Sequence, residues 1–235
     1  MPNDMPSTAA LFLTEDHVNR VFREVPETDD AELWGWTRLD DAGIAAKARE
    51  ILAQRPEGPL QVFAYGSLLW KPEFTPVAER QGRALGWHRA FCIELTSWRG
   101  TPEAPGLMMA LMPGGECTAL LHEVAEAEVL AATEALVRRE MPYVELSDSY
   151  SWVPVETAGG MVSALTFYAP PRGNRLRTDL TLEETAQIIA RACGHAGSNV
   201  EYLHRTVTSL AAQGLHDAQL WRLERLVAEE IDALF

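Results

Sequence analysis

The chain has 235 residues, of which 47% are hydrophobic and 23% charged, so it can bury the core of one generous domain, with or without extensions. Its formal net charge of −14 argues against nucleic acid or an anionic membrane as the main partner, since both select basic surfaces. A small anionic ligand in a locally basic pocket is compatible with this charge.

The cysteines indicate a reducing compartment. Cys92, Cys117 and Cys193 lie far apart and show neither CxxC spacing nor a disulfide framework. Each is expected to be a buried apolar thiol. The first residues lack the features of a signal peptide, and no apolar run approaches the roughly 20 residues that span a bilayer. We therefore expect a cytoplasmic protein with no membrane partner.

The first 58 residues are expected to form an N-terminal extension, and residues 59–235 the main domain. Within the extension, Asp41 is the expected cap of one short helix. From about residue 60 to 170, Gly and Pro separate six apolar runs: LQVFAYG, GRALGWHRAFCIEL, GLMMALM, CTALLHEV, SWVPVET and MVSALTFYA. Their spacing is too irregular for βαβ alternation, which predicts a mixed or antiparallel sheet that curls into a barrel. One helix is predicted at about residues 125–139.

The last third of the domain is predicted to be helical. Thr181 and Ser198 each begin a capping box, and Asp217 can cap a third helix. Gly194 and Gly214 are expected to stop the first two helices. These elements predict an α+β fold, in which a small barrel is flanked by helices and followed by a helical C-terminal third.

The run VFAYGSLLW places Gly66 and Ser67 inside a hydrophobic stretch. A glycine in a strand pattern commonly marks a bulge or bend that binds nothing. Alternatively, it lets the backbone turn sharply and present consecutive N–H groups to an anion, with Ser67 adding a hydroxyl and Tyr65 a wall. A Gly-x-Ser-x-Gly nucleophile elbow fits the stretch less well, because position 69 is a leucine and the second glycine is lacking. No metal site is predicted, since the histidines show no HExxH motif and no i,i+4 pair.

Four segments occur in a characteristic order: VFAYGSLLWKPEF, ALGWHRAFCIELTSWRGTPEAPGLMMAL, ALVRREM and WVPV. Together they resemble the ChaC-type γ-glutamylcyclotransferases, over about residues 58–205. The resemblance implies a small mixed β-barrel and a carbon–nitrogen lyase that needs no cofactor. It implies cleavage of glutathione, or a related γ-glutamyl compound, to 5-oxoproline and a released amine such as Cys-Gly.

The resemblance makes Glu140, in VRREM, the general base that takes a proton from the substrate's α-amine. Pro142 disfavours helical geometry at Met141, so Glu140 is expected at the end of a helix, where the dipole raises its pKa. The alternative is a solvated glutamate that pairs with Arg138 or Arg139.

The same resemblance assigns the substrate's α-carboxylate to the N–H groups around Tyr65 to Leu69. Arg99, in SWRGTPEAPG, is expected to add a bidentate contact to a carboxylate, or else to be a surface arginine. Trp70 is expected either to wall the pocket or to pack in the core. The predicted substrate-binding residues are Tyr65, Gly66, Ser67, Leu68, Leu69, Trp70, Arg99 and Tyr150.

The stretch after Glu140 departs from the family pattern, which has a tyrosine about six residues after the base. Leu146 occupies that place here, and either Tyr143 or Tyr150 could line the site instead. The departure leaves open whether the substrate is glutathione or another γ-glutamyl amine or amino acid. An alternative of another class is a non-catalytic γ-glutamyl-binding regulatory protein. The sequence does not indicate an oligomeric state.

An arginine-rich loop, with Arg172, Arg175 and Arg177, follows the last predicted strand. Its guanidinium groups are expected either to meet an acidic substrate tail or to be solvated.

Overall fold

A closed five-stranded barrel forms the centre of the computed structural model, which describes residues 11–28, 33–169 and 176–235. Around the barrel the strands follow the order β1–β3–β2–β4–β5. Neighbours are antiparallel, except that β1 and β5 pair in parallel where Val62 lies opposite Leu165. The predicted mixed barrel is therefore confirmed. The strands are β1 (Gln61–Ala64), β2 (Ala78–Leu95), β3 (Gly106–Glu123), β4 (Tyr150–Thr157) and β5 (Gly160–Phe167).

Strands β2 and β3 form one long hairpin, in which Ala78 lies opposite Glu123 and Leu95 opposite Gly106. The prediction of two separate strands in GLMMALM and CTALLHEV was wrong, because the chain runs through PGGE as a single strand. Gly114 and Gly115 have positive φ angles of 99° and 70°. They lie opposite a register shift between Leu85 and Trp87, and this irregularity bends the ladder without ending it.

The helices of the described residues are α1 (Glu15–Val21), α2 (Asp41–Ala53), α3 (Val129–Glu140), α4 (Leu182–Ile189), α5 (Asn199–Ala212) and α6 (Ala218–Leu234). Thr181, Ser198 and Asp217 cap α4, α5 and α6 as predicted. Of the two predicted capping boxes, the one at Thr181 forms, whereas at Ser198 the Glu201 carboxylate pairs with Arg99 and Arg205 instead of closing the box. The cap of α2 is Asp40 rather than the predicted Asp41, because the Asp40 carboxylate accepts the N–H of Gly43 at 2.7 Å.

Of the two glycines that were expected to stop helices, one does so and the other does not. Gly214 follows α5 with a φ of 68°, a left-handed conformation that ends a helix. Gly194 was expected to stop α4, but that helix ends at Ile189 and Gly194 lies in a short strand opposite Gly197. A Cβ at Gly194 would collide with the carbonyl of Trp98, so the glycine allows two backbone segments to pack closely.

Helices cover the barrel on two sides. Helices α1, α4, α5 and α6 share one apolar cluster with Phe91, Leu107 and Met109 of the barrel. Helices α2 and α3 form a second cluster with β1 and β5. The strands alone contribute a third cluster, which includes Phe63 and Leu111. Both helical layers meet near the end of β1, and this position is where the pocket lies.

The described part of the first 58 residues packs on the rest of the chain. Leu13 and Val21 belong to the core cluster of the C-terminal helices, and α2 packs against α3. The division of the chain at residue 58 stays a prediction. No helix in the described ranges has the length and apolar character needed to cross a membrane.

Candidate functional site

The chain bends sharply where β1 ends. After Ala64, residues Ser67–Leu69 form a 3₁₀ turn, in which the N–H of Leu69 donates to the Gly66 carbonyl at 2.9 Å. The N–H groups of Ser67 and Leu68 precede this first internal donor, so the turn itself offers them no acceptor. A Cβ at Gly66 would lie 3.0 Å from the hydroxyl oxygen of Tyr202. Glycine therefore allows the bend to approach that hydroxyl closely.

A pocket with a cavity volume of about 70 Å³, partly open to solvent, lies at this bend. Its lining joins Gly66 and Ser67 to Glu140, although the two segments are more than 70 residues apart in the sequence. The remaining lining residues are Tyr65, Leu68, Ile93, Met108, Met109, Ala110, Leu146, Ser149, Phe167, Tyr168 and Tyr202. The pocket wall is therefore largely apolar and carries a few polar groups, among them Ser67 and Glu140.

Glu140 is the last residue of α3, at the helix end where it was predicted. Its side chain is 22% exposed, and the Arg139 Nε lies 3.0 Å from its Oε1 atom. Burial raises the pKa of Glu140, the charge of Arg139 opposes this shift, and the charge of Glu73 reinforces it. Burial is thus the largest cause of the shift. A carboxylate with a raised pKa is the better proton acceptor.

Arg139 links this carboxylate to the bend. Its Nη2 donates to the Ser67 Oγ at 2.6 Å, and its Nη1 donates to the Lys71 carbonyl and to Glu73 at 3.1 Å. The pairing of Glu140 with Arg139, which was the alternative to a catalytic role, does occur. Glu140 nevertheless lines the pocket instead of pointing into bulk water.

Two tyrosines add hydroxyl groups to the pocket wall. Burial, followed by the charge of Glu140, raises the pKa of Tyr202 to about 12, while Arg99, Arg139 and a hydrogen bond from Ser67 oppose this shift. Burial also raises the pKa of Tyr65, with Tyr202 and Glu140 contributing. The Tyr65 hydroxyl donates to the Phe167 carbonyl at 2.8 Å. Both phenols are therefore protonated donors at neutral pH.

Five of the nine predicted site residues line this pocket: Glu140, Tyr65, Gly66, Ser67 and Leu68. Leu69 and Trp70 lie behind it. Leu69 packs in the core, and its N–H is taken by the Gly66 carbonyl. The Trp70 indole donates to Thr206 Oγ1 at 3.3 Å and packs edge-on against Tyr202.

Arg99 also lies behind the pocket wall. Its Nη1 donates to Glu201 and to the Ser198 carbonyl, both at 2.8 Å. The guanidinium carbon lies 5.7 Å from the ring centre of Tyr202. Arg99 thus contacts a residue of the lining but is not part of it.

Neither Tyr143 nor Tyr150, the two tyrosines considered for this site, lines the pocket. The hydroxyl of Tyr150 accepts a hydrogen bond from Gln54 at 2.9 Å on the α2 side of the barrel. Tyr143 is buried, and its hydroxyl accepts a hydrogen bond from Arg38 at 3.1 Å. Leu146 reaches the pocket instead.

The arginine-rich loop is described only in part, since Arg172 and Arg175 lie outside the described residues. Arg177 pairs with Glu94 and Asp179, each at 3.4 Å. Across the described ranges, no group of three or more His, Cys, Asp or Glu side chains could hold a metal ion.

Sequence reasoning missed several lining residues, chiefly Tyr202, Tyr168 and Met108. Tyr202 belongs to GSNVEYL, at the end of the stretch that carries the family resemblance, but on a helix it also fits an ordinary core position. Met108 and Tyr168 lie in apolar strand patterns that look like core. Only the closing of the barrel brings these three side chains to one place.

Comparison with known proteins gives a consistent set of relatives. The family model described as "ChaC-like protein" matches residues 60–230. The chain is 36% identical to the glutathione-specific γ-glutamylcyclotransferase of Escherichia coli, over 74% of this chain and 75% of that protein. It is 30% identical to γ-glutamylcyclotransferase 2-3 of Arabidopsis thaliana, over 73% of this chain and 92% of that protein.

The fold has solved counterparts. A yeast γ-glutamyl cyclotransferase specific to glutathione superposes with a TM-score of 0.64, over 74% of this chain and 97% of that one. The two sequences are 20% identical, so this likeness concerns the fold alone.

Proposed function

This chain belongs to the ChaC-like protein family, as its motifs predicted, and on this premise we propose that it cleaves glutathione to 5-oxoproline and Cys-Gly. The activity class follows from the curated relatives, which are γ-glutamylcyclotransferases. The observation that carries the proposal is that Glu140 and the Gly66–Ser67 bend line one pocket.

In the proposed complex, the bend binds the α-carboxylate of the γ-glutamyl group. Ser67 and Leu68 supply N–H groups that the 3₁₀ turn does not use, and Ser67 also supplies a hydroxyl. The nearby Arg139 guanidinium makes this end of the pocket favourable for an anion. Binding there leaves the α-amine of the substrate close to Glu140.

The reaction that follows is an intramolecular aminolysis. Glu140 accepts a proton from the α-ammonium group, and the freed amine attacks the γ-carbonyl carbon. The new C–N bond closes the five-membered ring of 5-oxoproline. As the tetrahedral intermediate collapses, the original amide C–N bond breaks, and Glu140 returns the proton to the departing amine of Cys-Gly. Atoms and charges balance without water or a co-reactant.

The pocket favours ring closure by orientation. Nucleophile and electrophile already belong to one molecule, so the pocket only has to hold the γ-glutamyl chain in its folded, reactive conformation, which removes the entropic cost of ordering that chain in the transition state. The apolar wall formed by Met109, Phe167 and Ile93 limits water beside Glu140, which keeps its pKa raised and suppresses competing hydrolysis.

The test is release of 5-oxoproline by the full chain, measured with glutathione and with a series of γ-glutamyl amino acids. We expect turnover of glutathione with stoichiometric release of Cys-Gly. Activity on γ-glutamyl amino acids alone would remove glutathione from the proposal but keep the reaction. Saturable binding of glutathione without turnover of any member of the series would favour the regulatory protein.

One observation favours keeping other γ-glutamyl amides in that series. Leu146 lines the pocket at the place where the family pattern has a tyrosine, and neither Tyr143 nor Tyr150 replaces it. A leucine cannot donate a hydrogen bond to the substrate. We therefore expect this chain to differ from the family pattern mainly in which leaving amine it prefers.

A further inference from the structure

Arg139 contacts both the Glu140 carboxylate and Ser67 at the bend, and this arrangement points to a role in the reaction proposed above. Its Nε lies 3.0 Å from the Glu140 carboxylate, and its Nη2 donates to the Ser67 hydroxyl at 2.6 Å. These contacts use two different nitrogen atoms of one planar guanidinium group. A rigid fork of this kind fixes the separation of its two partners, which a flexible ammonium group cannot do.

The guanidinium is itself held in place by the loop after the bend. Its Nη1 donates to the Lys71 carbonyl and to Glu73 at 3.1 Å, and the Arg139 side chain is only 19% exposed. Glu73 has a φ of 66°, a left-handed conformation that is uncommon for a residue other than glycine. Glu73 thus keeps a costly backbone conformation while its carboxylate accepts a hydrogen bond from Arg139 and pairs with Lys71 at 3.4 Å.

The charged and titratable groups around Glu140 come from each neighbouring element. They are Arg139 on its own helix, Glu73 in the loop after the bend, Tyr65 after β1 and Tyr202 on α5. Arg139 is the cation in this set, and its charge lowers the pKa of Glu140 against the effect of burial. Removing that charge would leave a buried carboxylate with an acidic and two phenolic neighbours.

We propose that Arg139 is a positioning residue for the γ-glutamyl reaction, which holds the Ser67 hydroxyl and the Glu140 carboxylate at a fixed separation. The substrate's carboxylate and amine are joined through a single carbon atom. Their two binding partners on the protein must therefore keep a matching distance. This inference rests on the proposed function, and it adds that one side chain fixes the distance between the general base and the anion-binding bend.

The test compares Arg139→Met, Arg139→Lys and wild type in full-chain form, with kcat, KM and the pH profile of kcat/KM measured on glutathione. For Arg139→Met we expect kcat/KM to fall about 100-fold, the loss that misplacing a reacting group can cause. We also expect the acid limb of the profile to move to higher pH, because Glu140 loses the cation that favours its ionised form.

Arg139→Lys separates charge from geometry. It should return the acid limb close to its wild-type position, because a positive charge is restored beside Glu140. It should still leave kcat/KM about tenfold low, because an ammonium group lacks the planar fork. If Arg139→Met does not fold, as judged by circular dichroism, this second variant decides: a wild-type kcat/KM for Arg139→Lys would overturn the proposal.

Arg138→Met is the matched control. Arg138 precedes Arg139 on α3, has an exposed side chain and pairs with Asp41 on the surface. Its variant should keep both kcat/KM and the acid limb.

Beside a fully active Arg139→Lys, three further results would contradict the positioning role. The first is an Arg139→Met protein with unchanged kcat/KM, and the second is one with lowered activity but an unmoved acid limb. In both, an active wild type leaves the proposed function standing. The third is a wild type that releases no 5-oxoproline from any γ-glutamyl compound, which contradicts both proposals.

Discussion

Two glutamates, the partly exposed Glu140 at the pocket and the buried Glu224 on α6, show how partners decide what a carboxylate does. Burial raises the pKa of both. Glu224 is only 1% exposed, and its carboxylate accepts hydrogen bonds from the backbone N–H groups of Phe12 at 3.0 Å and Leu13 at 2.7 Å. Glu140 pairs with one guanidinium and otherwise faces a cavity. The first carboxylate is occupied by the fold, and the second is open to a ligand.

The difference has a physical basis. A carboxylate has about four acceptor positions, and backbone donors that fill them also fix its place and disfavour protonation. At Glu224 these donors tie the segment before α1 to the last helix, so the carboxylate serves the structure. At Glu140 part of the acceptor capacity faces the pocket, where a proton can arrive and leave. Burial alone therefore does not identify a catalytic acid.

The largest predicted effect is the difference in activity between the glutamine variants of these two glutamates. Glu140→Gln should lower the rate of 5-oxoproline release by about 10²- to 10⁴-fold, because the general base is lost while its shape is kept. Glu224→Gln should stay within about twofold of wild type, because it lies outside the pocket lining. Steady-state assays of both variants measure this difference. Equal losses would mean that Glu140 acts only through the fold.

Truncating the structural glutamate gives the next largest effect, on stability. Glu224→Ala leaves the N–H groups of Phe12 and Leu13 without their acceptor, at a cost of about 2 kcal/mol in the free energy of unfolding. Urea titration measures this change. Glu229→Ala on the same helix is the control, since its exposed pair with Arg225 should contribute less than about 0.5 kcal/mol. A Glu224→Ala protein as stable as the control would refute the structural role.

A single methyl group at the bend tests how tightly the pocket is built. The Cβ of Gly66→Ala would lie 3.0 Å from the Tyr202 hydroxyl oxygen, so the bend or the phenol must shift. We expect kcat/KM for glutathione to fall about tenfold, mainly through KM. Gly159→Ala, in the β4–β5 turn, is the control because its nearest neighbour lies 3.7 Å away. A wild-type KM in Gly66→Ala would remove the bend from substrate binding.

The smallest effect concerns stability and pH at the pocket. The folded pKa of Glu140 is raised above its unfolded value, so the ionised carboxylate destabilises the native state. This cost is absent below the ordinary pKa of a glutamate, grows as the pH rises from that value to the raised one, and is constant above it. Glu140→Gln should therefore melt at a higher temperature than wild type at neutral pH and at a similar temperature in acid. A difference that shrinks as pH rises would contradict the sign of the shift.

Local patterns were enough to predict much of this molecule. Helix caps at Thr181, Ser198 and Asp217 depend on neighbouring residues and were correct. The position of Glu140 followed from the motif order, and Pro142 indicated the helix end. The bend at Gly66 was visible because a glycine and a hydroxyl interrupt an apolar run.

The remaining features depend on contacts between distant segments. Arg99 pairs with Glu201, and Tyr202 reaches the bend from the C-terminal helices. No local pattern predicts such pairings, since they arise when the barrel closes and α5 packs against it. The single strand through PGGE was missed for a related reason, because pairing with β2 overrides the usual turn preference of its two glycines.

The most direct test of the account is a crystal structure of Glu140→Gln, which should turn over slowly, with glutathione bound. We expect the α-carboxylate of the γ-glutamyl group within hydrogen-bond distance of the Ser67 and Leu68 N–H groups, and the α-amine beside the substituted side chain at position 140. Glutathione bound with its α-amine turned away from that side chain, or bound outside this pocket, would contradict the proposed ring closure.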